Sequence, residues 1–271
     1  MGESKRYETL IYEVRDSVGL VTLNRPERLN AFNLEMAEDL TEILDGLERE
    51  RSIRALVLTG AGRGFSSGGD VKEGGPLEAA RHTWSGVDFL TFYEQTISPL
   101  MVKLKNARVP TIAAVNGVAY AHGFDFALCC DLRIASTNAA FSAFWIRLGM
   151  PPAAGTFWTL PRIVGHGRAL EMMLTGRRVE AAEALEMGLL AKVVAPEDLE
   201  AEALSLARTV GEGPPVAMKM IKELTEFTSN LTFSEALRVS RSSTALSVKT
   251  QDADEALNAI RERRSPVFRG S

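Results

Sequence analysis

The sequence predicts an α/β fold, with a core over residues 1–195 and a helical region over residues 196–271. Two observations predict the core: short apolar runs typical of strands, such as 55–59 and 111–115, and helical segments that alternate with them. A third observation predicts the C-terminal region, which has helical periodicity apart from a glycine- and proline-rich break at 211–215. The domains are therefore expected to be an α/β core and a C-terminal set of helices.

The other elements follow from local patterns. Apolar residues at helical spacing predict a helix after Asn33, and an asparagine before such a pattern is a good N-cap. A glycine-rich loop is expected at 60–75 and an irregular segment at 141–155. The remaining predicted strands are 10–15, 20–24, 132–135 and 192–194, and the remaining predicted helices are 81–105, 124–130, 167–174 and 179–187.

Composition limits the functional classes. The chain is 45% hydrophobic and 24% charged with a net charge of −4, and it has no basic block, so no nucleic-acid partner is expected. Polar residues, glycine or proline interrupt every long apolar stretch, so no membrane span is expected. The N-terminus has no hydrophobic signal segment, and the two cysteines are adjacent, at 129 and 130, which does not suggest a disulfide framework. These features favour a cytoplasmic protein.

The segment after the strand at 111–115 contains the strongest candidate residues. Asp125 lies within an apolar helical run, where a charge is costly unless it is paired, hydrogen-bonded or neutral. It is either functional or a structural carboxylate that caps a helix or pairs with an arginine. His122 lies three positions earlier, among small residues where a ligand could approach, and both a functional and a structural role are open. No two of the three histidines have metal-ligand spacing, so no metal site is expected.

The glycine-rich loop permits several interpretations. Its first part does not match a dinucleotide-binding fingerprint, because Phe65 occupies the position of the last glycine. It does not match a nucleotide phosphate-binding loop either, because no Gly-Lys-Ser/Thr follows. Ser66 lies in a G-x-S-x-G pattern, with Asp125 and His166 downstream in the order of an α/β-hydrolase triad, but no helical pattern follows Gly68. A flexible turn is a further alternative. The favoured interpretation is that backbone amides of this loop bind an anion or an oxyanion.

A series of motifs along nearly the whole chain resembles the enoyl-CoA hydratase/isomerase (crotonase) family. Each motif is weak alone, but together they occur in the family's order and at its spacing. The matching segments are 23–32, 57–60, 65–70, 110–117 continuing through 130–131, 148–149, 162–165, 174–176, 181–189 and 263–268.

The resemblance implies a spiral of ββα turns followed by C-terminal helices that cover the active site. It also implies that these helices form trimers, which are often paired into hexamers. It implies a coenzyme A thioester as the ligand, with no separate cofactor. It also implies that the thioester enolate is held by the backbone amides of Ser67 and His122, with Asp125 as the catalytic carboxylate. Residues expected to bind the substrate are Arg28, Leu29, Ala31, Phe65, Gly68, Gly69, Asp70, Val71, Trp145 and Phe268.

Three positions depart from the family pattern. Hydratases of the family use two glutamates, which fall here on Asp125 and Trp145, and the usual glycine at the second oxyanion position is His122. Hydration of a 2-enoyl-CoA, the family default, is the first expectation. The alternatives are double-bond isomerisation, decarboxylation or C–C hydrolysis of a bulky or cyclic acyl-CoA, and an acyl-CoA-binding protein without catalysis. The aromatic residues Phe65, Trp84, Phe89, Phe144 and Trp145 suggest the bulky acyl group.

Overall fold

The computed structural model describes residues 4–71 and 76–271. The end of the predicted glycine-rich loop, residues 72–75, lies outside the described residues. The strands, in chain order, are β1 (Ser4–Arg6), β2 (Leu10–Arg15), β3 (Val18–Leu23), β4 (Ala55–Gly60), β5 (Gly64–Ser66), β6 (Thr111–Val115), β7 (Val118–Tyr120), β8 (Leu132–Ser136), β9 (Ala140–Ser142), β10 (Val179–Glu180) and β11 (Lys192–Val194).

Helices connect these strands and make up the C-terminal region. A π-helical segment, Tyr93–Ile97, joins the third and fourth helices, and a 3-10 helix, Phe144–Leu148, follows β9. The α-helices are α1 (Leu34–Arg49), α2 (Pro76–His82), α3 (Gly86–Phe92), α4 (Ser98–Lys105), α5 (His122–Cys129), α6 (Thr156–Val164), α7 (His166–Thr175), α8 (Ala181–Glu186), α9 (Leu199–Gly211), α10 (Pro215–Thr228), α11 (Phe233–Ser247) and α12 (Gln251–Glu262).

The strands form two sheets whose order explains the α/β pattern. The larger sheet has the order β1-β2-β3-β4-β6-β8-β11, antiparallel through β3 and parallel from β3 onward. The smaller sheet has the order β10-β9-β7-β5, with β9, β7 and β5 parallel. Each of β4, β6 and β8 in the larger sheet is followed at once by a strand of the smaller sheet. This alternation is the spiral of ββα turns that the resemblance implies.

Local signals account for the elements that the sequence predicts well. The side chain of Asn33 accepts a hydrogen bond from the Met36 amide at 3.1 Å, so it caps α1 as predicted. The predicted helix at 124–130 begins two residues earlier, and His122 is therefore its first residue. The predicted helix at 179–187 is in fact β10 followed by α8, and the predicted helix at 81–105 is divided among several shorter helices.

Helix α9 packs on the outer face of the larger sheet. Its residues Leu199, Ala203 and Ala207 form one apolar cluster with sheet residues such as Val57 and Ile112. With this face covered by α9, both faces of the parallel strands are buried, as is usual for parallel sheets. The first helix after the predicted boundary at residue 195 is thus part of the packed core, and the division into two domains stays a prediction.

Candidate active site

Three parallel strands of the smaller sheet end at one cavity. Gly69 follows β5, His122 follows β7 and Trp145 follows β9. Because the carboxyl ends of neighbouring parallel strands meet at one edge of a sheet, the topology brings these three residues together. The cavity is lined by Phe32, Gly69, Asp70, Phe89, Phe92, Tyr93, His122, Trp145 and Leu148.

The loops after β5 and β7 touch at the level of the backbone. Gly68 has a φ of +103°, and a Cβ atom there would lie 2.9 Å from the Ala121 Cβ. A Cβ atom on Gly123 would lie 2.3 Å from the Ser66 carbonyl oxygen, a distance that atoms cannot adopt. Glycine at both positions therefore allows the two loops to lie close enough to act on one ligand group.

The loop after β5 is held by the segment before α1, and this contact corrects the prediction for Ser67. The Ser67 amide donates to the Leu29 carbonyl at 2.9 Å, so it is not free to bind a substrate oxygen. The Phe32 amide donates to the Gly68 carbonyl at 2.7 Å, which fixes the same loop. The Gly69 amide has no hydrogen-bond partner among the described residues, and Gly69 lines the cavity. The available donor of this loop is thus the amide of Gly69 rather than that of Ser67.

The second available amide is that of His122. As the first residue of α5, His122 has no helical acceptor for its amide, and the helix dipole makes this end positive. Ala121 precedes it with a φ of +47°, a strained conformation for alanine that positions the start of the helix. Gly69 and His122 therefore present two unused amides at one cavity, an arrangement suited to an oxyanion.

Asp125 lies on α5, one turn after His122, and its carboxylate is 1% exposed. The Thr156 hydroxyl donates to Oδ1, whereas Oδ2 has no partner among the described residues. Burial raises the pKa of Asp125 to about 7, and the nearby N–H and O–H groups of Thr156 and Trp145 oppose that rise. No arginine pairs with this carboxylate in the described parts of the chain. Asp125 is outside the set of residues that line the cavity, whereas Trp145 belongs to that set.

The imidazole of His122 contacts a residue that the sequence analysis missed. The Tyr93 hydroxyl lies 3.3 Å from His122 Nε2. Burial lowers the pKa of His122 to about 3, so the ring is neutral at physiological pH, and burial raises the pKa of Tyr93. Tyr93 begins the π-helical segment, and such segments are common at functional sites. Its position inside a predicted helix, far from His122 in sequence, provides no local signal for this contact.

The aromatic predictions are correct in part. Trp145 and Phe89 line the cavity, together with the unpredicted Phe32 and Phe92. Phe65 is fully buried elsewhere and does not line the cavity. The other two predicted aromatic residues pack against neighbouring rings: Phe144 stacks on Tyr120 with the centroids 5.8 Å apart, and Trp84 packs against Phe92 at 5.3 Å.

The predicted substrate-binding residues near the loop after β5 are brought together. Leu29 and Ala31 lie in the segment that pairs with this loop, and Asp70 forms an ion pair with Arg25 at 2.9 Å. Arg28 belongs to the same segment, and its buried Nη1 has no partner among the described residues.

Two further predicted residues lie at the edge of the site or away from it. Val71 is 60% exposed and follows the loop directly. The Phe268 carbonyl accepts a hydrogen bond from Arg54 at 3.3 Å. Arg54 precedes β4, whereas the cavity lies beyond the carboxyl ends of the strands, so Phe268 does not join the cavity of its own chain.

The geometry excludes the hydrolase triad. Ser66 is fully buried at the end of β5 and is followed by a loop, whereas His166 is exposed at the start of α7. Among residues 4–71 and 76–271, no three acidic, cysteine or histidine side chains form a metal-binding group. No helix in these ranges is both long and apolar enough to span a membrane.

Comparison with known proteins identifies the family. The family model described as enoyl-CoA hydratase/isomerase matches residues 13–271. The chain belongs to the enoyl-CoA hydratase/isomerase family. Its fold is accordingly the crotonase fold, as the resemblance implies, and the solved enoyl-CoA hydratase from Bacillus anthracis superposes with a TM-score of 0.87 at 31% identity, covering 100% of this chain and 99% of that one.

Curated relatives in the family carry both hydratase and isomerase names. A protein of Rhizobium meliloti named "Probable enoyl-CoA hydratase" is 37% identical over 97% of this chain and 98% of its own length. The 1,2-epoxyphenylacetyl-CoA isomerase of Escherichia coli is 36% identical over 97% of this chain and 99% of its own length. The chain is therefore an enzyme of a family that acts on acyl-CoA thioesters, and family membership alone does not select the reaction.

Proposed function

We propose that the chain isomerises the double bond of an enoyl-CoA thioester through an enolate. The thioester carbonyl binds between the amides of Gly69 and His122. A base removes a proton from the carbon next to the carbonyl, the negative charge moves to the thioester oxygen, and the proton returns to the far end of the conjugated system. The observation that supports this most is that Gly69 and His122, whose amides have no hydrogen-bond partner among the described residues, line the same cavity.

The backbone donors suit the charge that develops. A thioester oxygen that becomes an enolate gains negative charge, and fixed N–H groups stabilise that charge without reorganising. Loss of one such donor typically reduces the rate about 100-fold or more. Coenzyme A enters as part of the substrate, and the segment of Arg28, Leu29 and Ala31 next to the loop after β5 is our proposed contact for it.

Asp125 is the proposed base. A catalytic base works best when its pKa lies near the operating pH, and burial raises the pKa of Asp125 to about 7. Its Oδ2 is unpaired among the described residues, so it can accept a proton. It lies one helical turn from His122, close to the proposed oxyanion site.

Isomerisation requires only one such carboxylate. The second glutamate of the family's hydratases falls on Trp145, which cannot transfer a proton at neutral pH, and the cavity around it is aromatic. Hydration of a 2-enoyl-CoA by Asp125 alone is the second candidate, and the hydratase name of the relative from Rhizobium meliloti favours it.

Assembly into trimers or hexamers stays a prediction. Large apolar side chains on the C-terminal helices are exposed in the single chain, which supports their burial against other copies. They include Ile221, Phe227, Phe233, Leu246 and Ile260.

The test is incubation with vinylacetyl-CoA, its phenyl-substituted analogue and crotonyl-CoA in deuterated water, followed by mass spectrometry and chromatography of the thioesters. We expect conversion of the 3-enoyl thioesters to 2-enoyl thioesters with deuterium uptake. Addition of water to crotonyl-CoA would support hydration instead. Tight binding without either change would contradict both reactions and favour a binding protein.

A further inference from the structure

The side chain of His122 is an addition to the wall of the cavity, because the family pattern has glycine at this position. The imidazole is 6% exposed and is surrounded by aromatic rings. Its centroid lies 4.5 Å from that of Trp145 and 5.1 Å from that of Phe32. The other two histidines, His82 and His166, are exposed. His122 is therefore the histidine whose ring nitrogens have to find partners inside the protein or on a ligand.

The two ring nitrogens have different surroundings. Nε2 lies 3.3 Å from the Tyr93 hydroxyl, and Nδ1 is buried without a partner among the described residues. The Tyr93 hydroxyl has no other hydrogen-bond partner in the same part of the chain, and a buried phenol normally donates its proton. A phenol that donates to Nε2 requires this nitrogen to be unprotonated. A neutral imidazole carries one N–H, so this arrangement places the proton on Nδ1.

Nδ1 lies against the loop that supplies the first proposed oxyanion donor. A Cβ atom on Gly69 would be 3.4 Å from His122 Nδ1 and 3.8 Å from Cε1. Glycine thus leaves open the space between the imidazole and the Gly69 backbone. Buried N–H groups are almost always hydrogen-bonded, so an unpaired one next to Gly69, on a residue that lines the cavity, indicates an acceptor on a ligand.

We propose that the Nδ1–H of His122 is a third hydrogen-bond donor to the thioester oxygen, beside the amides of Gly69 and His122. The inference rests on the proposed function, because it assigns a further role at that site. His122 is then a catalytic residue through its side chain as well as its backbone. Tyr93 is a positioning residue that selects the tautomer. The ring keeps its proton throughout, so it stabilises the enolate without taking part in proton transfer.

The tautomer can be measured in the free protein by long-range ¹H–¹⁵N correlation spectroscopy of the histidine rings. With three histidines in the chain, His122→Phe assigns the relevant signals. We expect the Nδ1–H tautomer for His122, without titration between about pH 5 and 8, since burial disfavours the charged ring. Tyr93→Phe should change the His122 ring to the other tautomer or to a mixture. An Nε2–H or a charged ring in the wild-type chain would overturn the proposal.

The role in binding can be measured with crotonyl-CoA labelled with ¹³C at the thioester carbonyl. Isotope-edited infrared spectroscopy reports how strongly the bound carbonyl is polarised. We compare wild type with His122→Phe, which keeps a ring without a donor, and with His122→Asn, whose side-chain amide can replace Nδ1–H. His166→Phe, at an exposed histidine outside the cavity, is the matched control.

We expect the carbonyl stretch to shift to lower frequency on binding to wild type, His166→Phe and His122→Asn, and to shift less with His122→Phe. Deuterium uptake should fall about 100-fold in His122→Phe and recover in part in His122→Asn. If His122→Phe does not fold, the shift of the carbonyl stretch in His122→Asn is compared with that in His122→Gly, which likewise differ in whether the side chain has a donor. Equal shifts with and without the side-chain donor would overturn the proposal. Failure of the wild-type chain to bind the thioester would instead overturn the proposed function, and with it this role, while the tautomer would still be known.

Discussion

Two polar regions of the chain, one partly buried and one fully buried, differ in how completely their groups are paired. The anchor region consists of Asp131, Thr111 and Lys222: the carboxylate accepts from the Thr111 amide at 2.8 Å and hydroxyl at 2.9 Å, and Lys222 lies 2.7 Å away. The cavity region consists of His122 and Trp145, which line the cavity, and of Asp125 one helical turn after His122, each with a buried polar atom that lacks a partner among the described residues.

The difference separates structural from functional polar groups. In the anchor region, Thr111 of β6 and Lys222 of α10 both contact the Asp131 carboxylate, so the carboxylate is paired by the protein itself. In the cavity region, Asp125 Oδ2 and His122 Nδ1 could not bind a ligand or accept a proton if the protein itself paired them. Unpaired buried groups lower stability, and proteins keep them mainly where a ligand completes the pairing.

The largest expected effect is on turnover. Asp125→Asn should reduce deuterium uptake and isomerisation about 1000-fold, because it removes the proton acceptor, while affinity for the thioester stays nearly the same. Steady-state kinetics and calorimetric titration with crotonyl-CoA measure the two quantities. Asp131→Asn is the matched control and should leave turnover within about twofold of wild type. Equal losses in both variants would remove the distinction between the regions.

The next effect is on the pH dependence of stability. The pKa of Asp125 is raised from 3.8 to about 7 by burial, so the folded chain binds more protons than the unfolded chain between these values. This group therefore destabilises the fold increasingly as pH rises through that window. Asp125→Asn should gain stability relative to wild type from pH 4 to pH 8, by up to roughly 4 kcal/mol. Urea unfolding at several pH values measures the difference, and a difference that is constant with pH would contradict the burial argument.

A third effect tests how closely the two loops of the site approach. Gly123→Ala should destabilise the fold by about 3 kcal/mol, because its Cβ would collide with the Ser66 carbonyl. Gly46→Ala in α1, where a Cβ would meet no atom within 4 Å, should stabilise by about 1 kcal/mol. Thermal unfolding measures both. Similar effects of the two substitutions would mean that the loops are not in backbone contact.

The smallest effect concerns the anchor region. Asp131→Asn should lower the free energy of unfolding by about 2 kcal/mol, since Lys222 then loses its partly buried ionic partner. Chemical unfolding at neutral pH measures this loss. A variant that is as stable as wild type but less active would place Asp131 in the function rather than in the fold.

The sequence predicted the fold class and the residues Asp125 and His122 because each leaves a local signal. A carboxylate in an apolar helical run and a histidine among small residues are both visible along the chain. Short strands such as β5 and β7 were missed because three residues show no clear alternation. The helix α6 was missed where Pro161 interrupts the pattern.

The details of the proposed oxyanion site depend on contacts between distant segments. Whether the Ser67 or the Gly69 amide is free depends on the pairing of their loop with Leu29 and Phe32, which no spacing in the loop reveals. Tyr93 reaches His122 because α4, which continues the π-helical segment of Tyr93, packs against α5. Such contacts follow from the fold as a whole, so the chain's local patterns could not identify them.

The most direct test of the central claim is a crystal structure of the protein with a bound, unreactive acyl-CoA analogue. We predict that the carbonyl oxygen lies about 2.7–3.1 Å from the amide nitrogens of both Gly69 and His122. A carbonyl oxygen bound by the Ser67 amide, or held away from both predicted amides, would contradict the account.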